Sequence, residues 1–197
     1  MNLLAISGSL RERSTNNAVI QSAVEAATGF ATGGFTTDGF TTDGFTTDLA
    51  EIGTLPHFNQ DLDVEGAEPI APVEALREAV RRADALLFVS PEYAHGVPGV
   101  LRNAIEWLVS SGALGDKPTA VITASPHPGG GSYAQEQLRE TLSMLTGAVV
   151  EEACLEIDAT GPKVDRETGR IKDERTLGDL KSALGTLHAA ACRTQSP

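Results

Sequence analysis

The stretch that decides the fold is NLLAISGSLRERSTNN, Asn2–Asn17. Its apolar first six residues predict a buried strand, and the Gly/Ser/Arg segment after them predicts a turn that opens a helix. A helix N-terminus behind such a turn offers unpaired N–H groups and partial positive charge, which suit a phosphate. The alternative is an ordinary capped turn between a strand and a helix. The polar side chains that can add hydrogen bonds to a phosphate are Ser9, Arg11, Ser14, Thr15 and Asn16.

This first loop differs from the two best-known nucleotide loops. It has neither the Gly-Lys-Ser/Thr ending of a P-loop nor the three-glycine dinucleotide fingerprint. We therefore expect it to hold one terminal phosphate. Ser14 or Thr15 is the expected N-cap of the helix that follows.

The composition predicts one globular domain, residues 1–197, of the size that supports a real core. Its net charge of −12 argues against nucleic acid and anionic membranes as partners. No apolar run approaches the roughly 18 residues of a spanning helix, and the chain opens directly on a strand pattern. We therefore expect a cytoplasmic protein. The two cysteines form no disulfide framework, and neither they nor the four histidines show metal-ligand spacing, so no metal site is expected.

The remaining chain alternates strand and helix patterns. This alternation predicts five parallel strands with helices on both faces, an α/β three-layer sandwich with strand order 2-1-3-4-5. In that order, a ligand crevice lies at the carboxyl ends of strands 1 and 3. Beyond strand 1, strands are predicted at Phe45–Leu49, Ala83–Ser90, Lys117–Ala124 and Val149–Ile157, and helices at Thr15–Thr28, Val73–Arg82, Val100–Val109, Tyr133–Leu145 and Asp173–Ala191.

A tandem repeat surrounds the second predicted strand. GFTTD occurs at Gly34–Asp38, Gly39–Asp43 and Gly44–Asp48, and a degenerate copy precedes it at Gly29–Gly33. A period of five residues fits neither a helix nor a strand. We therefore expect the last copy to supply strand 2 and the others to form an insertion, residues 29–48, without a catalytic role.

Two further loops follow strands 3 and 4. They read PEYAHGVPG, Pro91–Gly99, and SPHPGGGS, Ser125–Ser132. In the predicted topology, both lie beside the first loop. The arrangement predicts a phosphate site flanked by two Gly/Pro-rich loops able to frame a flat ring.

With these three loops, the chain resembles the NAD(P)H-dependent FMN reductases, a flavodoxin-like family that includes quinone, chromate and azo-dye reductases. The resemblance spans nearly the whole chain. It is carried by GSLRERSTN at Gly8–Asn16, PEYAHGVPGVLRNAIEW at Pro91–Trp107, and the Ser125–Gly131 loop. It implies a flavodoxin-like fold, bound FMN, and NADPH or NADH as the electron donor.

The resemblance also assigns residues to FMN. The first loop would bind the phosphate, the second would border the ring largely through main-chain groups, and the third would lie along the ring and the ribityl chain. The implied cofactor-binding residues are Ser9, Arg11, Ser14, Thr15, Asn16, Pro91, Glu92, Tyr93, Ala94, His95, Gly96, Ser125, Pro126, Gly129, Gly130 and Gly131.

Several of these residues have alternative roles. Family members often have asparagine where this chain has Ala94. His95 could donate a proton to a reduced quinone, or it could be a solvated loop residue. Glu92 could serve only to order its loop, and Tyr93 could stack beside the ring or pack as a wedge. Trp107 fits the core or a dimer interface better than the cofactor. No catalytic acid/base pair is expected, because a flavin carries its own chemistry.

The expected function is therefore FMN-dependent oxidoreduction. Hydride would pass from the nicotinamide to bound FMN, and then to a quinone, free flavin or another small acceptor. Two alternatives stay open: a flavodoxin-like electron carrier, and a flavin-binding regulatory module. The family's habit also implies a homodimer or homotetramer, with helices Leu101–Leu108 and Gln135–Leu145 at the interface.

Overall fold

A computed structural model describes residues 1–28, 44–165 and 167–195 of the chain. Within them, five parallel strands form one sheet in the order β2-β1-β3-β4-β5, which confirms the predicted topology. The elements are β1 Asn2–Ser7, α1 Thr15–Thr28, β2 Thr46–Leu49, α2 Ala71–Arg82, β3 Ala85–Ser90, α3 Gly99–Val109, β4 Thr119–Ala124, α4 Ser132–Thr146, β5 Leu155–Ile157, α5 Thr160–Lys163 and α6 Glu174–Thr194.

Helices cover both faces of the sheet. Side chains alternate between the faces of a strand, and β1 shows the result. Leu3 and Ala5 belong to one apolar cluster with α1 and α6, whereas Leu4 and Ile6 belong to a second cluster with α2, α3 and α4. All residues of β3 and β4 are buried. The three-layer sandwich is therefore confirmed. No helix in the described ranges is both long and apolar enough to cross a membrane.

The second strand lies where the last repeat copy was expected. It runs over Thr46–Leu49 and pairs with β1 from Asn2. Phe45 before it is buried, and its ring meets the ring of His188 edge-on at 5.1 Å between centroids. The copies at 29–43 lie outside the described residues, so the insertion and the single-domain organisation stay predictions.

The fifth strand is shorter than the predicted Val149–Ile157. The chain first touches β4 through a bridge between Val149 and Thr119, and then makes a single 3₁₀ turn, Glu151–Ala153. Regular pairing resumes only at Leu155. The two consecutive glutamates are both exposed, which a strand with one buried face does not allow. The prediction missed the turn because the surrounding residues are apolar.

An ionic cluster fastens the loop after β2 to helices α2 and α3. Arg77 lies 2.7 Å from Asp63 and 3.0 Å from Glu74, and it also donates to the main-chain oxygen of Trp107. Asp63 accepts a further hydrogen bond from Ser110. Burial would raise the pKa of Asp63, but the hydrogen bonds from Ser110 and Arg77 and the charge of Arg77 outweigh it and lower that pKa.

The lowered pKa predicts acid-sensitive stability. A carboxyl whose folded pKa is depressed stabilises the protein above its unfolded pKa of about 3.9, and loses that contribution as the pH falls through the folded value. Asp63→Asn should therefore cost about 1.5–3 kcal/mol at pH 7. The difference from the parent should shrink below about pH 4. Urea unfolding at pH 7 and pH 3 measures it. The exposed Asp61→Asn is the matched control. An Asp63→Asn difference that is equal at both pH values would contradict the assignment.

Candidate functional site

Three loops leave the same edge of the sheet next to one another. Residues 8–14, 91–98 and 125–131 follow β1, β3 and β4, which are adjacent strands. The register aligns Ser7 with Val89 and Ser90 with Thr123, so these strands end at nearly the same level. The amide of Gly8 continues the ladder by donating to Val89 O at 2.8 Å. The three predicted loops are therefore brought together.

Gly8 sits where the first two loops come closest. A Cβ at this residue would lie 3.0 Å from Ser90 Oγ, 3.1 Å from Leu101 Cδ2 and 3.2 Å from Pro91 Cδ. Such distances are tighter than ordinary packing, so a side chain would push the first loop away from the second. Gly8 is a site-shaping residue, although it was not among the predicted binding residues.

The first loop supplies a cradle of unpaired donors. Ser14 is the N-cap of α1, since its Oγ accepts from the amide of Asn17 at 3.1 Å. The amides of Thr15 and Asn16 have no acceptor within the described ranges. Asn16 is 3% exposed, and its Oδ1 is buried without a partner. Ser9 and Ser14 are also buried, whereas Arg11 is exposed. Open N–H groups at a helix N-terminus form a site for an anion.

Asn17 closes this loop and was missed in the sequence. Its Nδ2 donates to the main-chain oxygens of Arg11 and Glu12, both at 3.1 Å, and its Oδ1 accepts from Ser7 Oγ. The side chain therefore ties the loop's middle to the end of β1. Asn16 and Asn17 cannot be told apart in the sequence. Only the folded loop shows that Asn17 holds the loop by hydrogen bonds, whereas Asn16 Oδ1 has no partner.

The second loop contains a tight turn with an unusual backbone. Tyr93 and Gly96 exchange two main-chain hydrogen bonds of 3.1 and 3.0 Å. Between them, Ala94 has φ 50° and His95 has φ 56°, the left-handed region at both central positions of a type I′ turn. The amides of Ala94 and His95 find no acceptor in the described part of the chain. This turn therefore presents two open N–H groups, and asparagine would fit its first position better than alanine.

The third loop depends on glycine. Gly130 and Gly131 have φ 59° and 88°, and a Cβ on either would lie 3.1 Å from a neighbouring Cβ, that of Glu156 or Thr123. Ser125 is buried, and its Oγ accepts from the amide of His127. The other residues of the loop, 126–129, are exposed.

Glu92 joins the second loop to the helix after the third. Its Oε2 accepts from the amide of Ala134, in the first turn of α4, at 3.1 Å. A carboxylate there also complements the helix dipole. The loop-ordering alternative for Glu92 therefore has direct support. Tyr93 and His95 are both exposed, and the His95 ring stacks on Tyr133 at 4.6 Å between centroids.

The loop after β2 is held by the motif that follows the second loop. Pro56 O accepts from Asn103 Nδ2 and from Trp107 Nε1, both at 2.9 Å, and Asn103 Oδ1 accepts from the amide of Phe58 at 2.7 Å. Trp107 is 1% exposed and meets the ring of Phe58 edge-on. This agrees with the expected core position of Trp107. The same contacts show that Asn103, missed in the sequence, fastens the loop after β2 to α3.

The strand order and the three convergent loops define a flavodoxin-like α/β protein with a site at its topological switch point. The model of the NADPH-dependent FMN reductase family matches residues 1–160. The chain belongs to this family. It is therefore an NAD(P)H-dependent oxidoreductase whose cofactor is FMN, as the resemblance implied.

Individual relatives are similar to this chain over most of its length. An NAD(P)H-dependent FMN reductase of Pseudomonas aeruginosa is 34% identical over 94% of this chain and 92% of its own length. An NADPH:quinone oxidoreductase of Arabidopsis thaliana is 32% identical over 97% of this chain and 92% of that protein. Among solved structures, the NAD(P)H:acceptor flavoenzyme FerB of Paracoccus denitrificans has a TM-score of 0.77 at 25% identity, covering 98% of this chain and 97% of that one.

Proposed function

We propose that the first loop holds the FMN phosphate. Support comes from the two open main-chain amides of Thr15 and Asn16, at the N-terminus of α1. This cradle is the observation that carries the proposal. The Ser9 and Ser14 hydroxyls lie buried in the same loop, and the exposed Arg11 is free to approach a phosphate oxygen.

The flavin ring is assigned to the space between the second and third loops. The open amides of Ala94 and His95 would donate to its polar edge, and Pro91 and Gly96 flank that turn. Tyr93 and Glu92 are assigned to the same border, with Glu92 acting through its bond to α4. Along the ribityl chain we place Ser125, Pro126, Gly129, Gly130 and Gly131. A role for His95 as a proton donor stays a prediction. The His95 ring stacks on the Tyr133 ring.

The chemistry that FMN supplies when bound is two-electron transfer from a reduced nicotinamide to an acceptor. This chain's residues bind and orient the cofactor and leave its exposed side open to small molecules. We assign a quinone as the acceptor class, because several relatives are quinone reductases or quinone oxidoreductases. Reduced nicotinamides are intracellular metabolites, and this favours the cytoplasm as the location of the protein.

Anaerobic titration of the FMN-loaded protein with NADPH tests the electron-donor half of this function. The absorbance of the oxidised flavin should bleach rapidly on mixing, and steady turnover should follow when a water-soluble benzoquinone is added. Free FMN at the same concentration is the control. A bound flavin that stays yellow with both NADPH and NADH would contradict the reductase function and favour an electron carrier.

Arg11→Ala tests the phosphate assignment. Loss of a charge-assisted hydrogen bond should cost about 1.5–3 kcal/mol of binding. The FMN dissociation constant should then rise about 10- to 150-fold. Quenching of flavin fluorescence during titration of the apoprotein measures the constant. Arg82→Ala is the matched control, because it removes the same charge from an exposed residue at the end of α2. Equal FMN affinity in parent and Arg11→Ala would exclude Arg11 from the phosphate site.

We also propose a homodimer that uses the face formed by α3 and α4. A shallow groove between these helices has six apolar lining residues, with Arg102, Glu106 and Thr141 among them; the apolar ones are Val97, Ile105, Val109, Leu138, Met144 and Leu145. Val109 is 53% exposed and Met144 77% exposed, so this groove adds exposed apolar side chains to its apolar lining. Leu101 and Leu108, inside the expected interface helix, are instead buried in the protomer's own core. The contact surface therefore consists of the outward-facing neighbours of those leucines.

Met144→Glu should weaken this dimer, because pairing would bury a charge without a partner. Sedimentation at micromolar concentration should show the parent as a dimer and the variant as a monomer. Val64→Glu, an equally drastic change at another exposed apolar residue, should leave the dimer intact. If the parent sediments as a monomer, or if Met144→Glu stays dimeric, this interface is wrong.

A further inference from the structure

The turn between Tyr93 and Gly96 is held in a conformation that its own residues disfavour. Four non-glycine residues in the described ranges have positive φ, and only Ala94 and His95 are consecutive. Left-handed backbone is costly for most residues that carry a Cβ, and alanine has no polar side chain to offset that cost. A strained loop persists only when its surroundings over-determine it. Groups outside the turn must therefore hold it in place.

Helix α4 supplies those groups from its first two turns. Tyr133 stacks on the His95 ring with the planes 9° apart, and Gln137 Nε2 donates to His95 O at 3.2 Å. Tyr133 and Gln137 are four residues apart, so they share one face of the helix. A Cβ on Gly96 would lie 3.3 Å from Gln137 Oε1, which shows how closely the helix covers the turn.

We propose that Tyr133 and Gln137 are positioning residues that hold the Ala94–His95 turn in the shape that presents its two amides to FMN. This inference rests on the proposed assignment of that turn to the flavin ring. Neither side chain needs to touch the cofactor. Both act through His95, one on its ring and the other on its main-chain oxygen, and the binding residues themselves are main-chain N–H groups.

The shared helix couples two loops. Glu92, one residue before the turn, accepts from the amide of Ala134, which is the neighbour of Tyr133. The N-cap of the same α4 is Gly131, the last residue of the third loop. A shift of α4 would therefore move both loops that frame the ring, and the turn is set relative to the third loop rather than independently of it.

Substitutions on the holoprotein test the proposal. Tyr133→Ala removes the stacked ring and should raise the FMN dissociation constant about 2- to 10-fold. It should also shift the flavin midpoint potential. Tyr133→Phe keeps the ring and should restore the parent values. Gln137→Glu removes the donor at nearly constant size and should act in the same direction as Tyr133→Ala. Glu136→Ala, at an exposed position between them, is the matched control and should change neither quantity.

Relief of strain provides the sharper test. In an Ala94→Gly background, the turn needs less support, because glycine adopts positive φ freely. Tyr133→Ala should then change the FMN dissociation constant by less than twofold. An effect of equal size in both backgrounds would overturn the positioning role, because Tyr133 would then act by some other route.

Amide exchange in the apoprotein supplies a readout without flavin. The Tyr93 and Gly96 amides are protected by their mutual hydrogen bonds, so Tyr133→Ala should speed their exchange, and Tyr133→Phe should not. Unchanged exchange, or an unchanged FMN dissociation constant, would overturn the proposal. Arg11→Ala reports separately on whether FMN occupies the site at all. A normal loss of affinity there, with no effect from Tyr133→Ala, rejects the positioning role alone.

Discussion

The structure depends on one topological constraint, the divergence of the chain after β1 and β3. These strands are hydrogen-bonded neighbours, yet α1 packs on one face of the sheet and α3 on the other. Their connecting loops must therefore part, and a crevice opens at the carboxyl edge between them. Gly8 lies where the two loops separate. Ser90, Pro91 and Leu101 are so close to it that a Cβ on Gly8 would approach all three too closely. The close approach of the two loops depends on the absence of a side chain there.

The same geometry resolves an apparent conflict of charge. A protein of net charge −12 is assigned an anionic cofactor and an anionic electron donor. Long-range repulsion is screened beyond about 8 Å at physiological salt, so the nearest groups dominate. Every helix that follows a parallel strand begins at the carboxyl edge, and α1 turns its positive end toward the first loop. The open amides at Thr15 and Asn16 are therefore local donors that the overall charge does not cancel.

Much of this arrangement could be predicted from the sequence, because it follows from local patterns. Continuous apolar runs identified β1, β3 and β4, and strict alternation with helices identified the strand order and the three site loops. What could not be predicted depends on contacts between segments far apart in the chain. Glu92 looks like a loop acid until α4 brings the Ala134 amide to it, and Asn103 looks like any polar helix residue until Pro56 and Phe58 reach it.

Three of the residues that escaped prediction share one physical role. Asn17, Asn103 and Gln137 each use a side-chain amide to hold main-chain atoms of a loop that follows a strand of the sheet. An amide suits this task because it donates and accepts at once without carrying charge. A flavin needs no acid or base from the protein but does need a shaped main-chain surface. The sequence of this chain is therefore constrained at two groups of residues. The glycines let two segments approach each other, and the side-chain amides then hold those segments in place.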